Sequence, residues 1–401
     1  MDIEHAPSEM EQDSLEELTS LGERSGLEAE KLDLDGSKKP FDPEKIDVVT
    51  QARTIDLLLT RLREGELDLS PDFQRRSNLW DKSRKSSLIE SMLLRIPIPS
   101  LYVSEDHTGN YTVVDGLQRL CAIAHFVDVA GLNKAVESKL DPLRLKDLRS
   151  LREHEDKTYD ELPRALQRRI SETELTLHII RASTPSNVRF NIFSRINLGG
   201  LPLTSQEIRN AIYPGEWRKW ISKLAKGDSF RKATEDKIKG ERMEDLELVL
   251  RFVAMYSLSN KARPADENLD DFLNDTVEKQ FPSWNEEKWT QVEIAFERAM
   301  IFAPKIFGPL AFRKFSLPNS PRRPINRGLF ESESVALARR SDEELEVLAS
   351  RSQQVIDKFA QKLEEEKKGF YYALLYATGK GEAANKRLET IESIFGEVFN
   401  A

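Results

Sequence analysis

Apolar residues recur at helical spacing at Ile55, Leu58, Leu59 and Leu62, and Gly65 ends the stripe. Leu67 and Leu69 then alternate with polar neighbours as in a short strand, and Pro71-Asp72-Phe73-Gln74-Arg75 reads as a loop. A second helix is predicted over Ser83–Leu94, with Leu88, Ile89, Met92 and Leu93 turned inward; Pro97 and Pro99 prevent its continuation. Leu101–Ser104 and Tyr111–Val114 form a predicted hairpin around His107-Thr108-Gly109-Asn110. Asp115-Gly116 then turns the chain into an amphipathic helix from Leu117 onward. Residues 131–170 are charged and predict only short helices, while Leu175, Leu177 and Ile179 mark another strand. Thr184-Pro185-Ser186-Asn187 signals a helix start; Val188, Ile192, Phe193 and Ile196 share its face, and Asn197-Leu198-Gly199-Gly200 stops it.

From Ser205, expected to cap a helix reaching Tyr213, the pattern is helical almost to the end. Leu246, Leu250 and Val253 line one helix, Ser341 with Glu344 makes a capping-box signature, and Leu388, Ile391, Phe395, Val398 and Phe399 form a last apolar face. The predicted architecture is an α/β (α+β) domain over residues 46–204 followed by an all-α domain over 205–401. Residues 1–45, acidic and poor in aromatics, are expected to be a disordered tail, with order beginning near Thr54.

Charge sharpens that division. Residues 1–40 hold twelve acids and four bases, a net of −8 out of the chain's −9, so the other 361 residues sum to −1. Overall acidity therefore neither supports nor opposes a local basic patch for nucleic acid. No segment approaches the roughly 20 apolar residues that span a bilayer, and the acidic start lacks a signal-peptide core, so a cytoplasmic protein without membrane contact is expected. The single cysteine, Cys121, excludes an intrachain disulfide and a cysteine-cluster zinc site. All five histidines lie at or before residue 178, so the second half has no histidine-dependent chemistry of its own. Thr378-Gly379-Lys380-Gly381 lacks the upstream glycine and following Ser/Thr of a P-loop and reads as a chance match. Cys121 reads as a buried thiol, and His125, one turn further on, has no visible orienting partner.

Three constellations can carry chemistry. In the first, Gln74 and Arg75 follow Phe73 in a loop near Trp80; the aromatics suit a core, and Arg75 suits a bidentate grip on phosphate. In the second, a strand turns into a helix at Asp115, Gly116, Gln118 and Arg119. Free N–H groups at such a helix start attract phosphate, a carboxylate can hold Mg²⁺, and an arginine offsets phosphate charge. An ordinary solvated first turn is the competing reading. The third comprises Asn191, Arg195 and Asn197, with Glu207 and Arg209 read as a structural ion pair. Arg75, Arg76, Lys82, Arg84 and Lys85 cluster loosely, as a solvated surface or as a DNA contact.

Together these segments resemble the N-terminal domain of GmrSD-type restriction endonucleases. Phe73-Gln74-Arg75 with Trp80, Ile96-Pro97-Ile98-Pro99, Asp115-Gly116-Leu117-Gln118-Arg119-Leu120 and Phe193 to Glu207 follow that family's motifs in order and spacing over roughly residues 50–215. The resemblance implies a ParB/sulfiredoxin-like fold with a nucleotide-phosphate site at the Asp115–Arg119 turn. By position Asp115, Gly116, Gln118 and Arg119 inherit the motif role, with catalysis expected of Asp115, Gln118 and Arg119, and Gln74, Arg75 and Asn197 inherit supporting roles. With Arg195 from the third constellation and Mg²⁺ at Asp115, a nucleoside triphosphate is the expected cofactor. Two departures qualify it. Leu117 stands where the family usually has glutamine, which weakens the expectation of hydrolysis more than that of binding. The absence of histidine after His178 argues against the family's HNH nuclease domain. The leading expectation is a nucleotide-binding, NTP-hydrolysing protein of a restriction or anti-phage system, acting with a separate effector protein. A DNA-binding or DNA-nicking protein and a non-enzymatic adaptor are the alternatives.

Overall fold

A computed structural model describes residues 16–18, 23–30, 43–69, 80–196, 203–213, 215–315, 323–365 and 369–400. Among the described residues there are seven strands: β1 (Glu16–Leu18), β2 (Arg24–Glu28), β3 (Val48–Thr54), β4 (Leu67–Asp68), β5 (Leu101–Glu105), β6 (Tyr111–Asp115) and β7 (Glu174–Ile180). β3 to β7 form one mixed sheet in the order β3-β7-β5-β6-β4, and β1 pairs with β2 alone. The chain divides into two units. Residues 40–203 with 208–212 form an α/β unit; residues 1–39, 204–207 and 213–401 form a helical one. No helix of the described residues is long and apolar enough to cross a membrane.

Among its described residues the α/β unit has the α-helices α1 (Ile55–Glu64), α2 (Lys82–Leu93), α3 (Leu117–Val127), α4 (Val129–Ala135), α5 (Arg164–Ser171) and α6 (Ser186–Ile196). α1 buries the stripe its sequence predicts, Ile55, Leu58, Leu59 and Leu62. Thr54 caps its start by accepting from Leu57 N–H, and Gly65, at φ 77°, closes its end. α2 is capped by Asp81 and buries Leu88, Ile89, Met92 and Leu93. These side chains meet Leu120 and Ile123 of α3, Ile170 of α5 and the inner residues of the sheet in one core. Glu90 of α2 secures the long connection after α4, accepting from the N–H groups of Arg149, Ser150 and Leu151. Burial opposes its ionisation, but those three donors hold its carboxyl below the usual range.

Order does not begin at Thr54. β3 precedes it and pairs antiparallel with β7 along its whole length, Val48 opposite Ile180 and Thr54 opposite Glu174. Val48-Val49-Thr50 is β-branched, yet β3 is an edge strand with much of its surface in water, so it shows no apolar alternation. The expected disordered tail is also corrected within residues 1–45. β2 lies in the helical unit, with Leu27 fully buried and bridged in parallel to Ile325. Its one carboxylate, Glu28, meets Lys314, which composition alone does not reveal.

The helical unit buries the predicted Leu246, Leu250 and Val253 on Glu244–Ser257. The capping box at Ser341 and Glu344 forms with both reciprocal bonds. Two local expectations shift: Phe399 is exposed, and Thr204, not Ser205, caps the helix Ser205–Ile212, exchanging hydrogen bonds with Glu207. Glu207 also pairs with Arg242, at 3.0 Å. Within this unit Glu333 is fully buried on the helix Arg327–Ala338. One of its oxygens accepts from Phe312 N–H at 2.8 Å; the other has no hydrogen-bond partner among the described residues.

Burial pushes the Glu333 carboxyl up to about 8. A carboxyl raised in the folded state stabilises fully below its unfolded value and loses that contribution as pH rises through the folded one. Wild-type stability is therefore expected to fall between pH 5 and 8. Glu333→Gln should flatten that slope and melt higher than wild type at pH 8, each unit of displacement being worth about 1.4 kcal/mol. Thermal melts at pH 5 and pH 8 measure the difference.

Candidate functional site

The strand–turn–helix at Asp115 is built by a β-bulge. Val103 pairs with Val113, but Tyr102 pairs with Asp115, so one extra residue enters β6. Tyr111 and Val113 face the core. Regular alternation would send Asp115 the same way; the bulge brings it beside Tyr102 on the opposite face. There its side chain is 40% exposed.

Gly116 follows at φ 89°, a left-handed conformation that favours glycine. A Cβ at this position would stand 2.0 Å from Leu101 Cδ2 and 3.1 Å from an Arg119 nitrogen. Gly116 is the N-cap of α3, no side chain caps that helix start, and the Leu120 N–H to Gly116 carbonyl bond opens the helix ladder. The start of α3, next to the end of β6, therefore carries the partial positive charge of the helix dipole.

Arg119 is drawn inward. Its Nη1 donates to the carbonyls of Pro99 and Ser100 at 2.5 and 2.9 Å, and its Nη2 donates to Asp115 Oδ2 at 3.1 Å. The guanidinium thus ties the first turn of α3 to the segment entering β5 and holds the Asp115 carboxylate in place. Gln118 is half-buried on the same turn. Leu117 is buried in the core, so this position of the motif packs rather than faces the turn.

Residues with no local sequence signature extend this site. His178 of β7 stacks on Tyr102 of β5, ring centroids 4.6 Å apart, and its Nδ1 lies 2.9 Å from Thr50 Oγ1 on β3. Thr50, His178, Tyr102 and Asp115 are successive register partners on β3, β7, β5 and β6. They make one polar-aromatic row across the sheet, ending at the start of α3. Each comes from a different strand, so no local pattern unites them; the polar residues amid β-branched neighbours were the only trace.

The other candidates fall apart from this row. Gln74, Arg75 and Asn197 lie outside the described residues. Asn191 donates back to the Asn187 carbonyl within α6, and Arg195 is exposed on that helix. Arg209 is buried, its guanidinium 5.8 Å from the Phe190 ring. In the loose basic cluster, Arg84 lies over the Trp80 ring, and Lys85 is buried, its Nζ 3.2 Å from His125 Nδ1. His125 Nε2 bonds the Asp141 carbonyl, which can only accept, so Nε2 carries the proton. Burial lowers both the His125 and the Lys85 values and raises the Cys121 thiol to about 12. Cys121 is thus an inert core thiol, and Lys85 is unavailable to DNA.

Gly116→Ala is expected to destabilise the protein by about 1–3 kcal/mol, through the positive φ and the contact with Leu101. Denaturant unfolding measures the loss. An unchanged midpoint would mean that the turn accepts a side chain.

A family model described as GmrSD restriction endonuclease, N-terminal domain, matches residues 56–214. No curated protein and no solved structure matches the chain. The matched stretch begins in α1 and includes the β6–α3 turn, the hairpin before it and β7. Residues 56–214 are an N-terminal domain of the GmrSD restriction endonuclease family.

Proposed function

We propose that the α/β unit binds a nucleoside triphosphate at the Asp115–Arg119 turn and hydrolyses it with Mg²⁺, within a restriction-type defence system that uses a separate effector. One observation carries this reading: a bulge-aimed carboxylate, a left-handed glycine and the helix start that this glycine opens converge at the end of the Tyr102–His178 row. Backbone donors at a helix start favour phosphate, and the missing Cβ at Gly116 lets an oxygen approach the chain closely. Arg119, already fixed by Pro99, Ser100 and Asp115, holds positive charge beside the turn with no need to reorganise. Gln118 supplies an amide on the same turn. The ParB/sulfiredoxin-like fold and the supporting roles of Gln74, Arg75, Arg195 and Asn197 belong to the same proposal.

The donor set suits Mg²⁺ in one specific way. Mg²⁺ binds through one or two carboxylates together with phosphate oxygens and water. Asp115 offers one partly exposed carboxylate, and among the described residues no group of three His, Cys, Asp or Glu side chains gathers to form a metal cage. Bound there, the ion would neutralise phosphate charge. With Leu117 in the core, Gln118 is the amide the turn retains, so binding is expected to outlast turnover.

DNA contact is the second reading, favoured by the restriction-endonuclease description of the matched domain. Lys82 and Arg84 are exposed on α2 and suit it; Lys85 does not.

Thermal-shift measurements with ATP, GTP, CTP or UTP and Mg²⁺ test the proposal. At about 100 times Kd, a ligand adds about 2.7 kcal/mol to the native state, a rise of a few degrees. Asp115→Asn and Tyr102→Ala should each shrink that rise. If calorimetry detects no binding of any of the four, the nucleotide reading fails. Duplex DNA that then binds with steep salt dependence would transfer the assignment to the second reading.

A further inference from the structure

The acidic segment around β2 sits in the helical unit as a bound peptide sits in a receptor. Its backbone is laddered on both sides of one residue: Ile325 N–H donates to the Gly26 carbonyl, and Glu28 N–H donates to the Ile325 carbonyl. Leu27 is fully buried, whereas Leu18 on the partner strand β1 is 62% exposed. The hairpin therefore contributes little apolar surface, and its hold on the unit is mainly polar.

That polar hold is position-specific. Glu28 pairs with the fully buried Lys314 and accepts from Asn326, the N-cap of the helix Arg327–Ala338. Glu30 receives a bidentate grip from Arg251, at 3.1 and 2.6 Å. Arg327 donates to the Glu28 carbonyl and to Glu17. Glu28 and Glu30 are two residues apart, so in an extended chain they project to one side, while Ala29 between them is exposed. At Gly26 a Cβ would stand 2.2 Å from the Lys237 carbonyl oxygen, so the groove admits only glycine there. The fit is not sealed. A small cavity bordered by Glu28, Glu30, Asn326, Arg327 and Thr378 runs alongside, and the buried Thr378 hydroxyl has no hydrogen-bond partner among the described residues.

We propose that the helical unit carries a strand-docking groove that reads Gly-Leu-Glu-x-Glu in an extended acidic peptide, and that Gly26–Glu30 is its resident, exchangeable occupant. Each position has its own reader. Lys237 excludes side chains at the first, a buried pocket takes the leucine, Lys314 and Asn326 take the first glutamate, and Arg251 takes the second. This is strand addition with side-chain pockets giving specificity. The partner it fits is a protein that presents an extended acidic segment of the same pattern. Binding of that segment would displace the chain's own.

The test uses the full chain with a specific protease site inserted after Gly36, cut after folding. A fluorescein-labelled synthetic peptide with the sequence of residues 24–31 should exchange into the nicked protein, raising its anisotropy. Carrying Glu28→Gln and Glu30→Gln in the peptide should weaken it about tenfold or more, and Gly26→Val should abolish binding. In the uncut chain, Gly26→Val should eject the resident strand and allow the wild-type peptide to bind in trans. No exchange into a nicked protein that keeps its circular dichroism would overturn the proposal. So would loss of the fold on nicking, which would make the strand an integral part of the unit. Displacement of the segment by an oligonucleotide, with no uptake of the peptide, would reassign the groove to nucleic acid.

Discussion

Arg119 holds the candidate site together through three hydrogen bonds made by one rigid guanidinium. Two of them reach the carbonyls of Pro99 and Ser100, just before β5. The third restrains the carboxylate that the β-bulge has turned away from the core. The entry to β5, the tight turn at Gly116 and the start of α3 are all fixed relative to one side chain. The cation that a phosphate would meet is thus also the clamp that shapes the turn. Loss of this arginine would disturb structure and binding together.

The same rule, that a charge removed from water must be met inside, governs the remainder of the chain. In the α/β unit Glu90 gathers three backbone donors, and Lys85 meets His125. In the helical unit Arg251 meets Glu30 and Glu247, while Arg387 meets Glu331, with both members of the latter pair buried. Such pairs add little net stability relative to apolar packing, but breaking one partner away leaves an uncompensated charge. They favour one register of chain against chain over its neighbours.

What could be read from the sequence divides along the same line. The stripe of α1, the hairpin of β5 and β6, the Asp115-Gly116 turn and the Ser341 capping box are local patterns, each complete within about a dozen residues, and each forms. The strand β3 was missed because an edge strand need not alternate. The bulge was missed because it is a backbone event with no composition of its own. His178 and Tyr102 meet only through sheet pairing between distant strands, and Lys85 looked like surface because its histidine partner lies on another helix. Residues 24–30 looked like tail because the cations that meet their carboxylates come at Arg251 and Lys314.

That last separation orders events in time as well as in space. Glu28 and Asn326 are 298 residues apart. At about 5–20 residues per second, a ribosome that has made the acidic strand needs roughly 15–60 s to make the residues that receive it. The whole α/β unit emerges in between and can fold while that strand waits in water, where its charges keep it soluble. The helical unit can close around that strand only once the residues that receive it, Asn326 among them, have been made.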